Sequence, residues 1–276
     1  MHVGPMRVAE ALAMARAQGL DRLDAQLLLA HRLGRPRAWL VAHDDEPITA
    51  DQELAYRHDV ARRADGVPLA HLVGEREFYG LRLAVSPAVL VPRPDTEVLV
   101  DWALHCLAGL SQPRLLDLGT GSGAIAVSVA HARPDAIVTA TDIDAAALEV
   151  ARANARMHGV TLELLQGAWW QPVAGRRFEL ILSNPPYIAS DDPHLAALAH
   201  EPRHALTPGG DGLDALRVLA AGAPVHLVPG GHLLVEHGFD QGEAVRALLS
   251  AAGLEAVATR RDLAGHERCT GGRLAP

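Results

Sequence analysis

The stretch "RLLDLGTGSG", Arg114 to Gly123, carries the most specific pattern in the chain. Its first half is an apolar run typical of a buried strand, and its second half repeats glycine at alternate positions. Such glycines let the backbone turn tightly and approach a ligand closely. The next residues, "AIAVSVAHARP", favour a helix that stops at Pro134. The stretch therefore predicts a strand, a glycine-rich turn and a helix whose first turn is open to an anionic group.

The same alternation of strand and helix continues downstream. Apolar runs typical of strands are separated by helical segments such as "AAALEVARANARMHG" and "QGEAVRALLSAAG". The further strand candidates are "AIVTATD", "TLELLQG", "FELILSN" and "GGHLLVEHG", and the C-terminal tail supplies two more. This order predicts an α/β fold with a mostly parallel sheet and helices on both faces. In such a sheet, ligands bind beyond the carboxyl ends of the strands.

The first part of the chain has a different texture. Residues 6 to about 75 repeat Ala and Leu at helical spacing and contain no convincing strand, which predicts a small bundle of short helices. The second helix is predicted to begin at Asp24 and to end at Gly34, and the third to begin at Thr49. Nothing in this region suggests catalysis, so we expect it to act as a scaffold or to hold a partner.

Between these regions lies "FYGLRLAVSPAVLVPRPDTE", Phe78 to Glu97, in which apolar and polar residues alternate as they would in a hairpin. Three prolines then lead to a helix predicted to start at or just before Thr96. We therefore divide the chain into an N-terminal helical domain, a hairpin linker and a catalytic domain, over residues 1–75, 76–95 and 96–276.

Composition excludes several classes of function. The 276 residues carry a net charge of −8 and a pI near 6.0, so direct binding to nucleic acid is not expected. No apolar run is long enough to cross a bilayer, which predicts a cytoplasmic protein without membrane partners. All 25 basic residues are Arg, which excludes mechanisms that need a lysine amine. Cys106 and Cys269 are too few for a disulfide framework or a zinc site, and the histidines lack metal-binding spacing, so no metal is expected.

The glycine-rich turn and the acidic residue after the next strand together suggest a nucleoside ligand. Asp142 follows Gly123 by 19 residues, and a carboxylate in that place can accept hydrogen bonds from a ribose diol. Either a dinucleotide or S-adenosyl-L-methionine fits this pattern. The turn reads GxGxG rather than GxGxxG, which favours S-adenosyl-L-methionine, although a turn without a ligand is a further alternative. The candidate cofactor-binding residues of the turn are Gly119, Thr120, Gly121, Ser122 and Gly123.

The stretch "SNPPY", Ser183 to Tyr187, ends the fourth predicted strand with two prolines, which form a stiff corner. An Asn-Pro turn alone would be unremarkable, but this corner falls at the same sheet edge as the glycine turn and Asp142. The combination resembles the amino-methyltransferases, in which an (N/D)PP(Y/F) motif holds a planar nitrogen against the methyl group of the cofactor.

That resemblance gives each residue of the corner an expected role. The side-chain oxygen of Asn184 and the carbonyl of Pro185 would accept hydrogen bonds from an NH₂ group and direct its lone pair at the methyl carbon, which makes both residues catalytic candidates. Pro186 would stiffen the corner, and Tyr187 would pack on the flat face of the substrate group. No separate general base is needed before methyl transfer. Acceptors placed for NH₂ would also reject a carboxylate, so glutamate should not be a substrate.

Several separate stretches resemble one family, the HemK or PrmC family of glutamine methyltransferases that modify peptide chain release factors. Beside "LLDLGTGSGAIAVSVA" and "SNPPYI", the most specific are "PRPDTE" upstream and "EPRHALTPGGDGL" downstream. "DAQLLLAHRLG", "VEHG" and the terminal "DLAGHERCTGGR" also match, so the resemblance covers nearly the whole chain.

The resemblance implies an N-terminal helical domain, a hairpin linker and a seven-stranded class I, Rossmann-like methyltransferase domain. It implies methylation of the side-chain amide of the glutamine in the Gly-Gly-Gln (GGQ) motif of release factors, which the helical domain would help to recognise. Residues 119–123, Asp142 and Asn184 would contact the cofactor, and Trp169 would lie beside its adenine. Asn184 to Tyr187 would hold the glutamine.

One position departs from the family pattern. The family commonly has Asp before the aromatic residue that follows the third strand, whereas "QGAWW" places Ala168 there. The lost carboxylate could weaken adenine recognition, or Trp169 and Trp170 could compensate by stacking; a structural plug is a further explanation of the two tryptophans. The departure also leaves open a non-catalytic protein that binds the cofactor or a release factor.

A methyltransferase acting on adenine or guanine in nucleic acid is the main alternative, because it would share "NPPY". The acidic net charge and the absence of a target-reading domain argue against it.

Arg93 and Glu97 of "PRPDTE" could reach the pocket, although helix capping by Asp95 or Thr96 explains the segment equally well. Arg268 in "GHER" could likewise order the site, although a surface position is the favoured expectation. None of these residues is assigned a catalytic role.

Overall fold

A computed structural model describes residues 4–276 of the chain, so residues 1–3 at the start of the predicted first domain lie outside it. The chain forms two compact units, which divide between Gly74 and Glu75. The roles predicted for the three segments of the chain stay predictions. No helix of the described residues is both long and apolar enough to span a membrane.

The first unit is built from short helices, as the sequence predicts: α1 Val8–Ala17, α2 Arg22–Leu33, α3 Arg37–Ala42, α4 Ala50–Ala64 and α5 Leu69–Val73. Thr49 caps α4 in a reciprocal capping box with Gln52. The prediction that α2 begins at Asp24 is wrong, because Asp21 is the N-cap and accepts hydrogen bonds from the backbone of Leu23 and Asp24. Both aspartates are good caps, and only the backbone geometry separates them.

The core of this unit lies between α1, α2 and α4. Leu28, Leu29 and Val60 are fully buried there, and the buried Tyr56 donates a hydrogen bond from its hydroxyl to the carbonyl of Ala25 at 3.0 Å. The partner satisfies a polar group that would otherwise weaken the core.

The second unit begins with a hairpin of β1 Glu75–Phe78 and β2 Leu81–Ala84. The hairpin therefore lies earlier than the predicted start at Phe78. Tyr79 and Gly80 both have positive φ, 52° and 72°, and form the two-residue turn that joins the strands. The proline-rich residues that follow form no strand, since proline cannot donate to a ladder. A short 3₁₀ helix, Pro94–Thr96, then leads into α6, Glu97–Cys106.

The seven-stranded sheet confirms the predicted fold class. Its strands are β3 Arg114–Leu118, β4 Ile137–Asp142, β5 Glu163–Gln166, β6 Phe178–Ser183, β7 Leu227–Glu236, β8 Leu254–Arg261 and β9 Glu267–Leu274. They lie in the order β5-β4-β3-β6-β7-β9-β8. The pairs from β5 to β7 are parallel, whereas β9 is antiparallel to both β7 and β8. The order of the strands switches at β3, which has β4 on one side and β6 on the other. Because these three strands are parallel, their carboxyl ends share one edge of the sheet.

Helices cover both faces of the sheet. One face carries α6, α7 Ala124–Ala132 and α8 Ala145–Met157, and the other carries α10 Asp214–His226 and α11 Gly242–Ala251. The short α9, His194–Ala197, lies in the segment that follows β6. Alternate residues of one strand enter opposite cores, because side chains in a strand alternate between faces. Leu115 and Leu180 pack with α6 and α7, whereas Leu116 and Ile181 pack with α10 and α11. Helix α10, which contains Pro224, is absent from the sequence prediction.

Candidate active site

The glycine-rich turn joins β3 to α7 at the carboxyl edge of the sheet. The backbone N–H groups of Gly119 and Thr120 both donate to the carbonyl of Thr141 at 2.9 Å, which fixes the turn against β4. Gly123 has φ 79°, and a Cβ atom there would lie 3.1 Å from the Cβ of Ala151 on α8. The turn therefore needs glycine at this position both for its backbone conformation and for close helix packing.

Asp142 ends β4 and is held against the turn. One of its carboxylate oxygens, Oδ2, accepts a hydrogen bond from the Gly121 backbone at 2.8 Å, and the other, Oδ1, accepts one from Asp144 at 2.9 Å. The carboxylate is therefore oriented before a ligand arrives, and each oxygen keeps a further lone pair for a hydroxyl group.

Trp169 lies after β5 with φ 46°, an unusual conformation for a large side chain. A Cβ atom at Gly119 would lie 3.8 Å from its ring, so the indole stands beside the glycine turn. The neighbouring Trp170 is anchored elsewhere. It stacks on His226 with ring centroids 4.7 Å apart, and its indole N–H donates to the carbonyl of Val218 at 3.0 Å.

The corner "NPPY" follows β6, which pairs directly with β3. The last residues of the two strands, Ser183 and Leu118, are partners in the register, and the Ser183 hydroxyl donates to the Leu118 carbonyl at 2.7 Å. The corner therefore begins one strand away from the glycine turn. The side-chain nitrogen of Asn184 donates to the hydroxyl of Thr96 at 3.2 Å, which leaves its Oδ1 atom available to another donor.

A cavity of about 380 Å³ brings most of the predicted site residues together. Its lining includes Gly119, Thr120, Gly121, Ser122, Asp142, Trp169, Asn184 and Pro186, together with Ala168. Gly123 and Tyr187 do not line it, and neither does Pro185, which lies between the lining residues Asn184 and Pro186. Mostly apolar walls around the fixed carboxylate of Asp142 fit an adenosine moiety, and the volume lies in the range of small-molecule sites.

Tyr187 turns its hydroxyl away from the cavity. It donates to Oε1 of Glu236 at 3.1 Å, and the Tyr187 backbone carbonyl accepts from the Gln241 side chain at 2.9 Å. Burial raises the pKa of the Tyr187 phenol, and the nearby Glu236 raises it further. The phenol is therefore neutral and acts as a donor.

Two buried carboxyl groups at this edge were missed by the sequence reasoning. Burial raises the pKa of Asp117 to about 7, although the Thr120 hydroxyl opposes the rise by donating to it at 2.6 Å. Burial likewise raises the pKa of Glu236 to about 7, opposed by the neighbouring Thr96 hydroxyl and by the hydrogen bond from Tyr187. Each is an acidic residue near the end of an apolar strand, and that signal could have identified both.

The segment "PRPDTE" borders the same cavity, as Arg93 and Thr96 both line it. Arg93 pairs with Glu201, whose side chain is only 2% exposed and also accepts from the Val91 backbone at 2.9 Å. Capping does not explain this segment, because no side chain caps the start of α6. Glu97 instead accepts from the Tyr79 backbone at 2.9 Å.

The expectation that Arg268 lies at the surface is wrong. Its side chain is 13% exposed and pairs with Asp95 and Asp262, each at 3.3 Å. The residue sits beside the buried Glu236, whose pKa it lowers.

Sequence comparison agrees with this architecture. The family model described as "Methyltransferase small domain" matches residues 96–213, and the one described as "PrmC N-terminal domain" matches residues 7–74. A "Release factor glutamine methyltransferase" of Bordetella pertussis is 56% identical over 259 residues, 93% of this chain and 96% of that protein. Its counterpart in Xylella fastidiosa is 52% identical over 266 residues, 95% of this chain and 97% of its own. A solved methyltransferase from Pyrococcus furiosus has a TM-score of 0.52 at 19% identity, covering 83% of this chain and 100% of its own.

The seven-stranded sheet, with its glycine turn after β3 and its acidic residue at the end of β4, defines a class I methyltransferase that uses S-adenosyl-L-methionine. At the level of sequence, the chain belongs to the release factor glutamine methyltransferase family. It is therefore an enzyme, and the comparisons confirm the predicted family and cofactor.

Proposed function

We propose that this enzyme transfers a methyl group from S-adenosyl-L-methionine to the side-chain amide nitrogen of the glutamine in the GGQ motif of peptide chain release factors. The observation that carries the proposal is the orientation of Asn184. Its nitrogen is engaged by Thr96, so its oxygen is the atom offered to a donor in the cavity. The names of the relatives support the same class of substrate.

The cofactor supplies an electrophilic methyl group on a positively charged sulfur. The residues of the glycine turn and Asp142 would hold its methionine and ribose parts, and Trp169 would lie against the adenine. These contacts would hold the cofactor at the carboxyl end of β3. Orientation of this kind can contribute roughly 7 to 11 kcal/mol to a rate enhancement.

The acceptor nitrogen needs help because its lone pair is delocalised into the carbonyl group. Asn184 Oδ1 and the Pro185 carbonyl would each accept a hydrogen bond from the NH₂ group, which favours a pyramidal nitrogen with its lone pair directed at the methyl carbon. The two prolines keep this carbonyl in place, so no reorganisation is required during transfer. The proton can leave the nitrogen after the methyl group has been transferred.

The same acceptors would discriminate against glutamate. A carboxylate offers no N–H and faces two oxygen atoms, and each buried polar group left without a partner costs about 1 to 3 kcal/mol. A release factor in which the glutamine is replaced by glutamate should therefore accept no methyl group.

The helical unit, in the predicted domain of residues 1–75, would recognise the release factor, and residues 76–95 would link it to the catalytic domain of residues 96–276. The enzyme would act in the cytoplasm, where release factors work. We propose no membrane partner and no direct binding to nucleic acid, since the net charge of −8 disfavours a polyanion.

Radiolabelled S-adenosyl-L-methionine tests the proposal directly. The enzyme is incubated with a release factor, with the same factor carrying a Gln→Glu change in its GGQ motif, and with bulk RNA or DNA. Label should enter the first acceptor alone. Label in nucleic acid would instead support a base-directed methyltransferase, and no label in any acceptor would support a cofactor-binding adaptor.

The variant Asn184→Ala tests the proposed chemistry. Turnover should become undetectable, because the acceptor for one N–H is lost, whereas cofactor affinity measured by calorimetry should weaken at most slightly. Near-normal turnover in this variant would show that the proposed hydrogen-bond geometry is wrong.

A further inference from the structure

Glu236 is a buried carboxyl group that the proposed mechanism does not use. It ends β7, which pairs with β6 through Val235 and Ser183, so it lies directly beside the "NPPY" corner. The residue is 1% exposed. Oε1 accepts from the Tyr187 hydroxyl, whereas no donor of the described residues satisfies Oε2. A buried, incompletely satisfied carboxyl group costs stability, so its presence here calls for a role in the site.

Thr96 joins Glu236 to Asn184. The Thr96 hydroxyl accepts a hydrogen bond from the Asn184 side-chain nitrogen at 3.2 Å, and it lies close enough to the Glu236 carboxyl to favour its ionised form. Glu236 Oε2 has no donor among the described residues and is the acceptor to which the Thr96 hydroxyl could give its hydrogen. A hydroxyl group has only one hydrogen to donate. If that hydrogen is given to Glu236, the hydroxyl can only accept from Asn184, and the Asn184 oxygen must then face the cavity.

We propose that the Glu236 carboxylate is a positioning residue that sets the direction of the hydrogen bond between Thr96 and Asn184 and anchors Tyr187. The inference rests on the proposed function, since it explains how Asn184 comes to offer an acceptor to an NH₂ group. Glu236 itself touches neither the substrate nor the cofactor in this scheme.

Protonation of Glu236 would reverse the arrangement. A neutral carboxyl group can donate to Thr96, which then has its own hydrogen free for the Asn184 oxygen. The Asn184 amide would turn over and present its NH₂ group to the cavity, where it would meet the NH₂ group of the substrate. Two donors facing each other cannot form a hydrogen bond, so the substrate amide would lose one of its two acceptors.

Charged or titratable groups on three neighbouring segments of the chain surround Glu236. Tyr187 follows β6 and donates to it, Asp95 precedes α6, and Arg268 and Cys269 lie on β9, where Cys269 is its partner in the register. Arg268 lowers the pKa of Glu236 and Asp95 raises it, but burial is the largest influence and brings the pKa to about 7. Activity should therefore rise with pH through about 7, as Glu236 loses its proton.

The variant Glu236→Gln keeps the size of the side chain but is neutral at every pH and can donate to Thr96. With a release factor as acceptor, kcat at pH 8 should fall about tenfold or more, the expected effect of losing one good hydrogen bond in the transition state. The rise of activity through pH 7 should disappear, and affinity for S-adenosyl-L-methionine should stay within twofold of the wild-type value.

Three further variants separate positioning from general structural damage. Thr96→Val removes the hydroxyl and should lower kcat as Glu236→Gln does, whereas Thr96→Ser should restore most of the rate. Glu179→Gln is the matched control: it removes a carboxylate on β6, the strand next to β7, that pairs with Arg114 on β3. Its pH profile should match that of the wild type. A Glu236→Gln enzyme with wild-type kcat and an unchanged pH profile would overturn the inference.

A measurement without substrate distinguishes this inference from the proposed function. The side-chain ¹⁵N resonance of Asn184 should shift with a midpoint near pH 7 in the cofactor-bound wild type and should not shift in Glu236→Gln. If the release factor is not methylated but the shift is seen, only the proposed function fails. If the factor is methylated but the shift is absent, the inference about Glu236 fails alone.

Discussion

Replacement of Asp142 by Asn is the most informative test of the cofactor side of the site. Both carboxylate oxygens of Asp142 already accept backbone N–H groups, from Gly121 and Asp144. An amide in the same place would turn an NH₂ group toward one of those donors, and it would lose the charge that strengthens bonds to the ribose hydroxyls. A hydrogen bond to a charged group contributes about 1.5 to 3 kcal/mol.

The expected loss of binding free energy is about 3 kcal/mol, because both the ribose contacts and the position of the glycine turn are affected. This corresponds to a Kd for S-adenosyl-L-methionine that is roughly a hundredfold higher. Isothermal titration calorimetry measures it directly, and S-adenosylhomocysteine should show the same loss. The rate at saturating cofactor should fall much less, since Asp142 does not contact the acceptor nitrogen.

Asp144→Ser is the matched control for this experiment. Asp144 lies two residues away and caps α8 by accepting from the Ala146 backbone at 2.8 Å, a role that Ser can also fill. The variant removes a negative charge close to the site without replacing a residue that lines the cavity. Its Kd should stay within about threefold of the wild-type value. An Asp142→Asn enzyme with an equally small change would refute the assignment of the ribose to this carboxylate.

Three other comparisons of variants should report on neighbouring parts of the site. Gly123→Ala should lower the free energy of unfolding in urea by about 2 to 5 kcal/mol, because it combines a left-handed backbone with overpacking against α8; Gly121→Ala, which meets nothing within 4 Å, should lower it by only about 1 to 2 kcal/mol. Equal losses would contradict the packing argument. Trp169→Ala should raise the cofactor Kd about tenfold and Trp169→Phe much less, as stacking on a base contributes about 1 to 3 kcal/mol; equal values by calorimetry would show that the indole does not stack. Glu236 has a folded-state pKa of about 7 against its ordinary 4.5, so the native state holds its proton where the unfolded state does not. The unfolding free energy of the wild type, relative to Glu236→Gln, should therefore fall by up to about 3 kcal/mol as the pH rises from 4.5 to 7, and a constant difference would show that the carboxyl is not perturbed.

Local patterns were sufficient to predict the sheet. The strand of Arg114–Leu118 and the turn after it combine an apolar run with obligatory glycines, and both signals lie within ten residues. The predicted hairpin lies too late in the chain, because the alternation of apolar and polar residues continues past Ala84. The turn itself depends on the positive φ of Tyr79, which the sequence does not reveal. Helix α10 was missed, since its glycine and Pro224 obscure a helical pattern that tertiary packing nevertheless stabilises.

The site was predictable only to the extent that sheet topology determines it. Strand ends place the glycine turn, Asp142 and Asn184 at one edge, so those residues could be grouped from the sequence. The contact between Asn184 and Thr96 joins residues that are 88 positions apart in the sequence, so no local pattern indicates it. Arg268 was assigned to the surface because arginine is usually exposed; its burial follows from two carboxylates that only the fold brings beside it.

The direct pairing of β3 with β6 has a consequence for how substrates could be exchanged during evolution. The two loops that would carry the methyl donor and its acceptor leave the paired ends of neighbouring strands, and the spacing of about 4.8 Å between neighbouring strands is common to all sheets. The distance between the methyl donor and its acceptor would thus be set by the pairing of the two strands and not by the length of the loops. Insertions in the surrounding segments could therefore change which macromolecule binds as the substrate, while the distance between the methyl donor and the acceptor atom stays the same.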